Sequence, residues 1–154
     1  MELLIAISVL GAITLLGLRI GTDALATERV EAATRRIALG LEQARTTASR
    51  SGQACGLSLN PEAGWVAPSA GTLRGCPGFS PASGENQEDA AVLLEHNFPT
   101  VLRISSNGLV IDGGTVRISA AGTPLVRCLV VSLPLGVVRW GRWLQDSCQP
   151  DRLT

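Results

Sequence analysis

Residues 3–18 read LLIAISVLGAITLLGL, sixteen positions without a formal charge, closed by Arg19. As a helix this run spans about 24 Å at about 1.5 Å per residue, somewhat short of the roughly 30 Å hydrocarbon core of a bilayer. Positive charge does not precede it and an A-x-A-like cleavage site does not follow it, so it does not read as an ordinary secretory signal. The pattern instead continues as helix. From Glu28 the apolar positions are Val30, Ala33, Ile37, Leu41, Ala44 and Ala48, a three-and-four spacing that lays one stripe along an amphipathic helix. Glu28, Glu31, Arg35, Arg45 and Arg50 fall on or beside the other face, with Glu31 and Arg35 spaced to pair one turn apart. No proline interrupts Met1 to Ser51, and Ser51-Gly52 offers a C-terminal stop. The expectation is one helix of about 50 residues, roughly 75 Å long. Its first third is apolar all round and its last half is one-sided, so the apolar end must be buried in lipid or in other subunits. Gly11, Gly17, Gly21 and Gly40 each weaken it by up to about 1 kcal/mol relative to Ala, which predicts local unwinding near Gly17 to Gly21.

After Gly52 the periodicity switches to short strand-like runs: 54–59, 64–67, 91–96, 101–105, 110–111, 115–119, 125–133 and 137–143. Asn60-Pro61, Asn107-Gly108, Asp112-Gly113-Gly114 and Leu133-Pro134-Leu135-Gly136 punctuate them as turns. One apolar sheet face covering the stripe from Val30 to Ala48 gives an α+β fold, a long N-terminal helix packed by its second half against an antiparallel β-sheet head. Residues 68–88, rich in Gly, Pro and Ser and holding Cys76, read as a long surface loop.

The chain has 154 residues, enough for one head domain of roughly 100 residues plus an extended element. Hydrophobic residues make up 45% and charged residues 17%, too apolar for disorder and leaning toward membrane contact. The formal net charge is zero, which removes a global argument for nucleic-acid binding, but all basic residues are Arg and local clusters can still act. Four cysteines, Cys55, Cys76, Cys128 and Cys148, lack CxxC spacing, and the single histidine, His96, supplies no second imidazole, so neither a metal nor another cofactor is expected. Two disulfides in an oxidising compartment fit better. Of three possible pairings, Cys55 with Cys76 and Cys128 with Cys148 each close a loop of about twenty residues, worth roughly 3 kcal/mol apiece.

Catalysis has little to stand on. His96 lies between Glu95 and Asn97 without a GxSxG-like nucleophile and reads as a lone surface histidine. Gly113-Gly114 has no following Lys-Ser/Thr and reads as a hairpin turn rather than a phosphate loop. The chain is therefore expected not to be an enzyme.

Glu2 is the odd residue of the N-terminus: a carboxylate at membrane depth costs about 3 kcal/mol, so it needs a partner or an interfacial position. The run Met1-Glu2-Leu3-Leu4-Ile5-Ala6-Ile7 resembles the prepilin-type N-terminal segment, in which a glycine-terminated leader precedes a Phe or Met and then a glutamate inside an apolar helix. The resemblance implies that Glu2 is this assembly glutamate, that the leader and first mature residues lie upstream of Met1, and that the carboxylate pairs with the methylated N-terminal amine of a neighbouring subunit. Leu41-Glu42-Gln43-Ala44-Arg45, Ser49-Arg50-Ser51-Gly52 and Cys55-Gly56-Leu57-Ser58-Leu59 resemble the helix-to-first-strand junction of pseudopilin-H and FimT-type minor pilins. The stretches 102–108 and 137–142 are similar to that group's final strands.

By this resemblance the chain is a minor type IV pilin or type II secretion pseudopilin. Residues 1–26 form the transmembrane and filament-core half of the helix, and residues 27–154 an extracytoplasmic head. The partners are other pilin-like subunits, with membrane lipid before assembly. Two further readings remain. Interleaved Arg139, Trp140, Arg142 and Trp143 suit single-stranded nucleic acid through phosphate contact and base stacking, and FimT-type proteins are linked to DNA uptake through a Gly-Arg-x-Arg-like patch. Here Gly141-Arg142-Trp143 matches the start of that patch and Leu144 replaces its second arginine. The plainer reading of the four is a hairpin strand, with Trp140 and Trp143 on opposite faces, one in the core and the other beside the Cys128 to Cys148 closure. The last reading is an unrelated single-pass membrane protein with an extracytoplasmic β domain.

Overall fold

The computed structural model describes residues 2–69, 73–77, 92–133 and 136–151, with side chains from residue 22 onward. Helix α1 runs from Glu2 to Ser51 without a break, Gly17 and Gly21 included. The unwinding expected there does not occur, because a glycine costing about 1 kcal/mol is easily carried between long helical flanks. The chain leaves the helix at Gly52, where φ is 65°.

Eight strands follow: β1 (Cys55–Asn60), β2 (Gly64–Val66), β3 (Val92–His96), β4 (Leu102–Ile104), β5 (Gly114–Ala120), β6 (Arg127–Ser132), β7 (Val137–Leu144) and β8 (Ser147–Pro150). They pair antiparallel in two sheets, ordered β2-β1-β4 and β3-β5-β6-β7-β8. The architecture is the α+β arrangement that the periodicities imply, with two sheets where one was expected. The chain passes from the large sheet to the small one between β3 and β4. There Asn97 donates to the Thr115 carbonyl at 3.1 Å, and the Asn97 side chain accepts from the Thr115 amide at 2.6 Å. The short run at Val110 and Ile111 makes one bridge to Ile104 rather than a strand, since Asp112 turns its carboxylate onto the Arg103 amide and caps the pairing.

The stripe of α1 is buried as its spacing requires: Val30, Leu41, Ala44 and Ala48 have no exposed surface. Thr34 is the buried polar member, and its hydroxyl donates to the Val30 carbonyl one turn back at 2.8 Å. Leu57, Leu102 and Ile104 of the small sheet and Val116, Ile118, Leu129 and Val131 of the large one close over this face. Trp65 and Phe98, ring centroids 5.8 Å apart, fill the space where the two sheets meet the helix. The indole Nε1 of Trp65 donates to the Ile37 carbonyl at 2.7 Å, and a Cβ at Gly40 would stand 2.7 Å from its Cδ1. Gly40 is thus the notch in the helix that admits the indole.

Disulfides join Cys55 to Cys76 and Cys128 to Cys148. The first clips residues 73–77 to β1, where the Gly56 amide donates to the Arg74 carbonyl at 2.9 Å. Residues 70–72 and 78–88 of the expected surface loop lie outside the described residues. The second disulfide links β6 to β8 across the strand between them. Strands two apart in a flat sheet lie about 9.5 Å from each other. The Cα atoms of Cys128 and Cys148 are only 5.8 Å apart, so the sheet rolls over at β7 and β8 folds onto it. Gly141, opposite both Cys128 and Pro150, makes this possible, because a Cβ there would overlap the Gln149 carbonyl.

Candidate functional site

The electrostatic tie between helix and sheet is Arg127. Its guanidinium donates to Glu31 at 2.8 and 2.5 Å and to Asp151 at 2.6 Å. Burial alone would lower its pKa, but hydrogen bonds to Glu31 and then Asp151 outweigh that and raise it. Glu31 therefore does not serve the helical pair with Arg35 that its spacing suggested. A half-buried cation on the facing sheet offers a stronger partner than an exposed one a turn away. Arg35 instead lies 4.0 Å from Glu28.

Four candidate residues stand on β7, and pairing fixes their direction, because residues directly opposite in an antiparallel pair share a face. Trp140 lies opposite Leu129 and Arg142 opposite Arg127, so both project to the helix side of the sheet. By alternation Arg139 and Trp143 project to the outer side. The four thus divide two and two between opposite faces. Neither indole is in the core: Trp140 is 43% exposed, and Trp143 is half-buried beneath the Arg117 guanidinium, 4.9 Å from the ring centroid. The expectation that one of them fills the core is corrected: Trp140 borders an open groove between β7 and α1, and Trp65 holds the core indole position. Trp143 does pair directly with Cys148, beside the disulfide, as expected. Arg117 is also held by Glu95 at 2.9 Å, and Arg142 approaches Asp151 at 3.9 Å.

Trp140 forms one wall of a groove of about 360 Å³ between β7 and α1, with Ala38, Leu39, Glu42 and Arg45 on the helix and Val137 and Val138 at the start of the strand. Arg45 donates to Glu42 at 2.7 Å and to the Gly108 carbonyl at 3.1 Å. Leu39 is 65% exposed, and Leu25, two heptads earlier on nearly the same helical face, is 59% exposed. The sequence carried a signal for this surface, Leu39 standing off the buried stripe, but the wall supplied by Val138 and Trp140 depends on where β7 falls.

His96 is not the surface residue its neighbours suggested. It is half-buried, with Nε2 3.1 Å from the Leu59 carbonyl of the small sheet and its ring 5.9 Å from that of Phe98. It joins the two sheets at their junction. Among the described residues, no group of three His, Cys, Asp or Glu side chains is placed to hold a metal ion.

Backbone of α1 is described from Glu2, but the side chains of residues 2–21 are outside the described set, and with them the Glu2 carboxylate and most of the expected span over residues 1–26. Among the described residues, no helix is long and apolar enough to cross a membrane.

A helix of this length, buried over its second half by an antiparallel head and projecting beyond it, defines a pilin-like protein. The family model of type II transport protein GspH matches residues 33–135, from the buried stripe through β6, and the chain belongs to that family of minor pseudopilins. No curated protein and no solved structure matches the chain. The family is a structural component of type II secretion.

Proposed function

We propose that the chain is a membrane-anchored minor pseudopilin, held in the inner membrane by its N-terminal helix with the head outside the cytoplasm, and drawn from there into a filament of pilin-like subunits. The observation that carries this reading is the helix itself. Its second half is occupied by the head, while the uncharged run Leu3 to Leu18 continues beyond it. Such a surface suits lipid before assembly and other helices afterwards, since packing between apolar helices replaces contact with lipid at little cost. Glu2 answers its desolvation by pairing with the N-terminal amine of a neighbouring subunit. The two disulfides fit a head that works in an oxidising compartment. The role is structural, without catalysis.

Fractionation tests the anchoring step. In cells lacking the other secretion subunits, the full chain should sediment with inner membranes and resist extraction by high salt. In cells that carry them, a share should appear in sheared filaments. Full recovery in the soluble fraction of either strain overturns the proposal.

A further inference from the structure

The two disulfides differ in their surroundings. Cys55, Cys76 and Cys128 are 1%, 5% and 0% exposed, whereas Cys148 is only half-buried. A thiolate in solution can therefore reach the disulfide of the large sheet at Cys148, and that of β1 at neither end. Arg117 stands directly opposite Cys128, and such a pair shares one face of the sheet with Cβ atoms about 5 Å apart. The Arg117 guanidinium lies over Trp143, the residue paired with Cys148, so one arginine stands beside both ends of the bond. Glu95 takes Nη1 of that guanidinium, but its Nε–H is buried and donates to nothing. A buried donor without an acceptor is costly and uncommon. A thiolate at Cys128 would give it an anionic acceptor. What the bond holds in place is β8. Ser147, Gln149 and Pro150 are exposed, and the turn before them keeps Gln145 and Asp146 in the left-handed region.

We propose that Cys128–Cys148 is a redox-active disulfide, opened by a dithiol of the class that thiol–disulfide oxidoreductases carry, with Arg117 holding the thiolate formed at Cys128 and β8 as the segment released. One thiolate of the dithiol attacks Cys148 Sγ, the Sγ–Sγ bond breaks, and its electron pair passes to Cys128 Sγ. The second thiolate of the dithiol attacks the mixed disulfide and displaces Cys148. The dithiol ends as a disulfide, having given up two electrons and two protons; Cys148 takes one proton and solvent the other. Cys128 stays a thiolate beside Arg117. A thiolate next to a cation leaves faster than one in apolar surroundings, so the buried cysteine can act as the leaving end. With the bond open, β8 keeps only its pairing with β7 and the contact of Asp151 with Arg127, and the strained turn favours its departure. Reduction thereby uncovers the edge of β7 from Gly141 to Leu144.

The test treats the full chain, in detergent micelles, with increasing dithiothreitol below its melting temperature, alkylates the free thiols and locates them by mass spectrometry of peptides. Cys128 and Cys148 should become labelled at a dithiothreitol concentration about tenfold below that for Cys55 and Cys76. In the half-reduced chain, amide exchange at Ser147 to Gln149 should accelerate while α1 and β1 keep their protection. Arg117→Met should raise the concentration needed to open Cys128–Cys148 several-fold, and Arg117→Lys, which keeps the cation, should recover part of the loss. The Cys55–Cys76 midpoint, unchanged in both variants, controls for a head that has merely loosened. If both disulfides open together, or Cys55–Cys76 opens first, or β8 stays protected after reduction, the proposal is overturned. Easier or unchanged reduction in Arg117→Met likewise overturns the part assigned to Arg117.

Discussion

At the scale of single residues, the interior is decided by a few contacts that leave no slack. Gly40 is a helix position where alanine would gain up to about 1 kcal/mol in propensity, but its Cβ would stand 2.7 Å from a buried indole ring. Overpacking of this kind costs about 1–3 kcal/mol, so the clash wins. Gly40→Ala should lower the midpoint of urea unfolding, and a raised midpoint would show that Trp65 moves aside freely. Asp112 is the other residue with a clear consequence. Arg103 grips its carboxylate through both oxygens, at 2.9 and 2.7 Å, and donates its backbone amide as well. The Arg103 hydrogen bond holds the Asp112 pKa below its ordinary 3.8. Because the folded value is the lower one, the unfolded chain takes up the proton first. The stabilisation is complete above the ordinary value and is lost as pH falls through the folded one. Asp112→Asn should therefore flatten part of the acid loss of melting temperature between about pH 5 and pH 2. Identical acid profiles for the two proteins would contradict this account.

Among the elements, β8 is the one whose position rests on covalent and turn chemistry rather than on burial. Its residues Ser147 to Pro150 are polar and short, and the turn before it holds Gln145 and Asp146 at φ values of 49° and 56°. Positive φ at both central residues is the geometry of a type I′ hairpin, which Asn-Gly adopts far more readily. Replacing the pair by Asn-Gly should stabilise the head by about 1 kcal/mol, read as a higher unfolding midpoint. No gain would mean that the disulfide alone fixes the hairpin. These facts explain why β8 was not legible in the sequence: it has no alternation, carries a proline, and follows a turn without the usual residues. The earlier strands were legible, because apolar residues recur at every second position, Cys55, Leu57 and Leu59 in one and Val116 and Ile118 in another, and these are the buried ones. Pairing was not. Nothing in the alternation tells that the chain changes sheets at Asn97, so the division into two sheets appears only in the folded molecule.

For the whole molecule, the helix pattern gave away most of the design, since a stripe from Val30 to Ala48 demands a head and the uncharged run before it demands a second environment. The candidate site was legible in part. Alternation correctly sent Trp140 and Trp143 to opposite faces, but local spacing could not say that α1 and β7 leave an open groove between them with Trp140 on the surface. For the same reason Glu31 was assigned a neighbour on its own helix, while folding brought it Arg127 and, through Arg127, the residue after β8. Arg127 ties the helix, the large sheet and Asp151 into one unit. The central claim is that this helix joins the chain to other subunits, with Glu2 as its one polar contact. Glu2→Val tests it most directly, by comparing recovery of variant and unmodified full-length chain in filaments sheared from cells that carry the remaining subunits. The account predicts a variant that melts like the parent, remains in the membrane fraction and is largely missing from the filaments. Recovery of the valine variant in filaments at the level of the parent would contradict it.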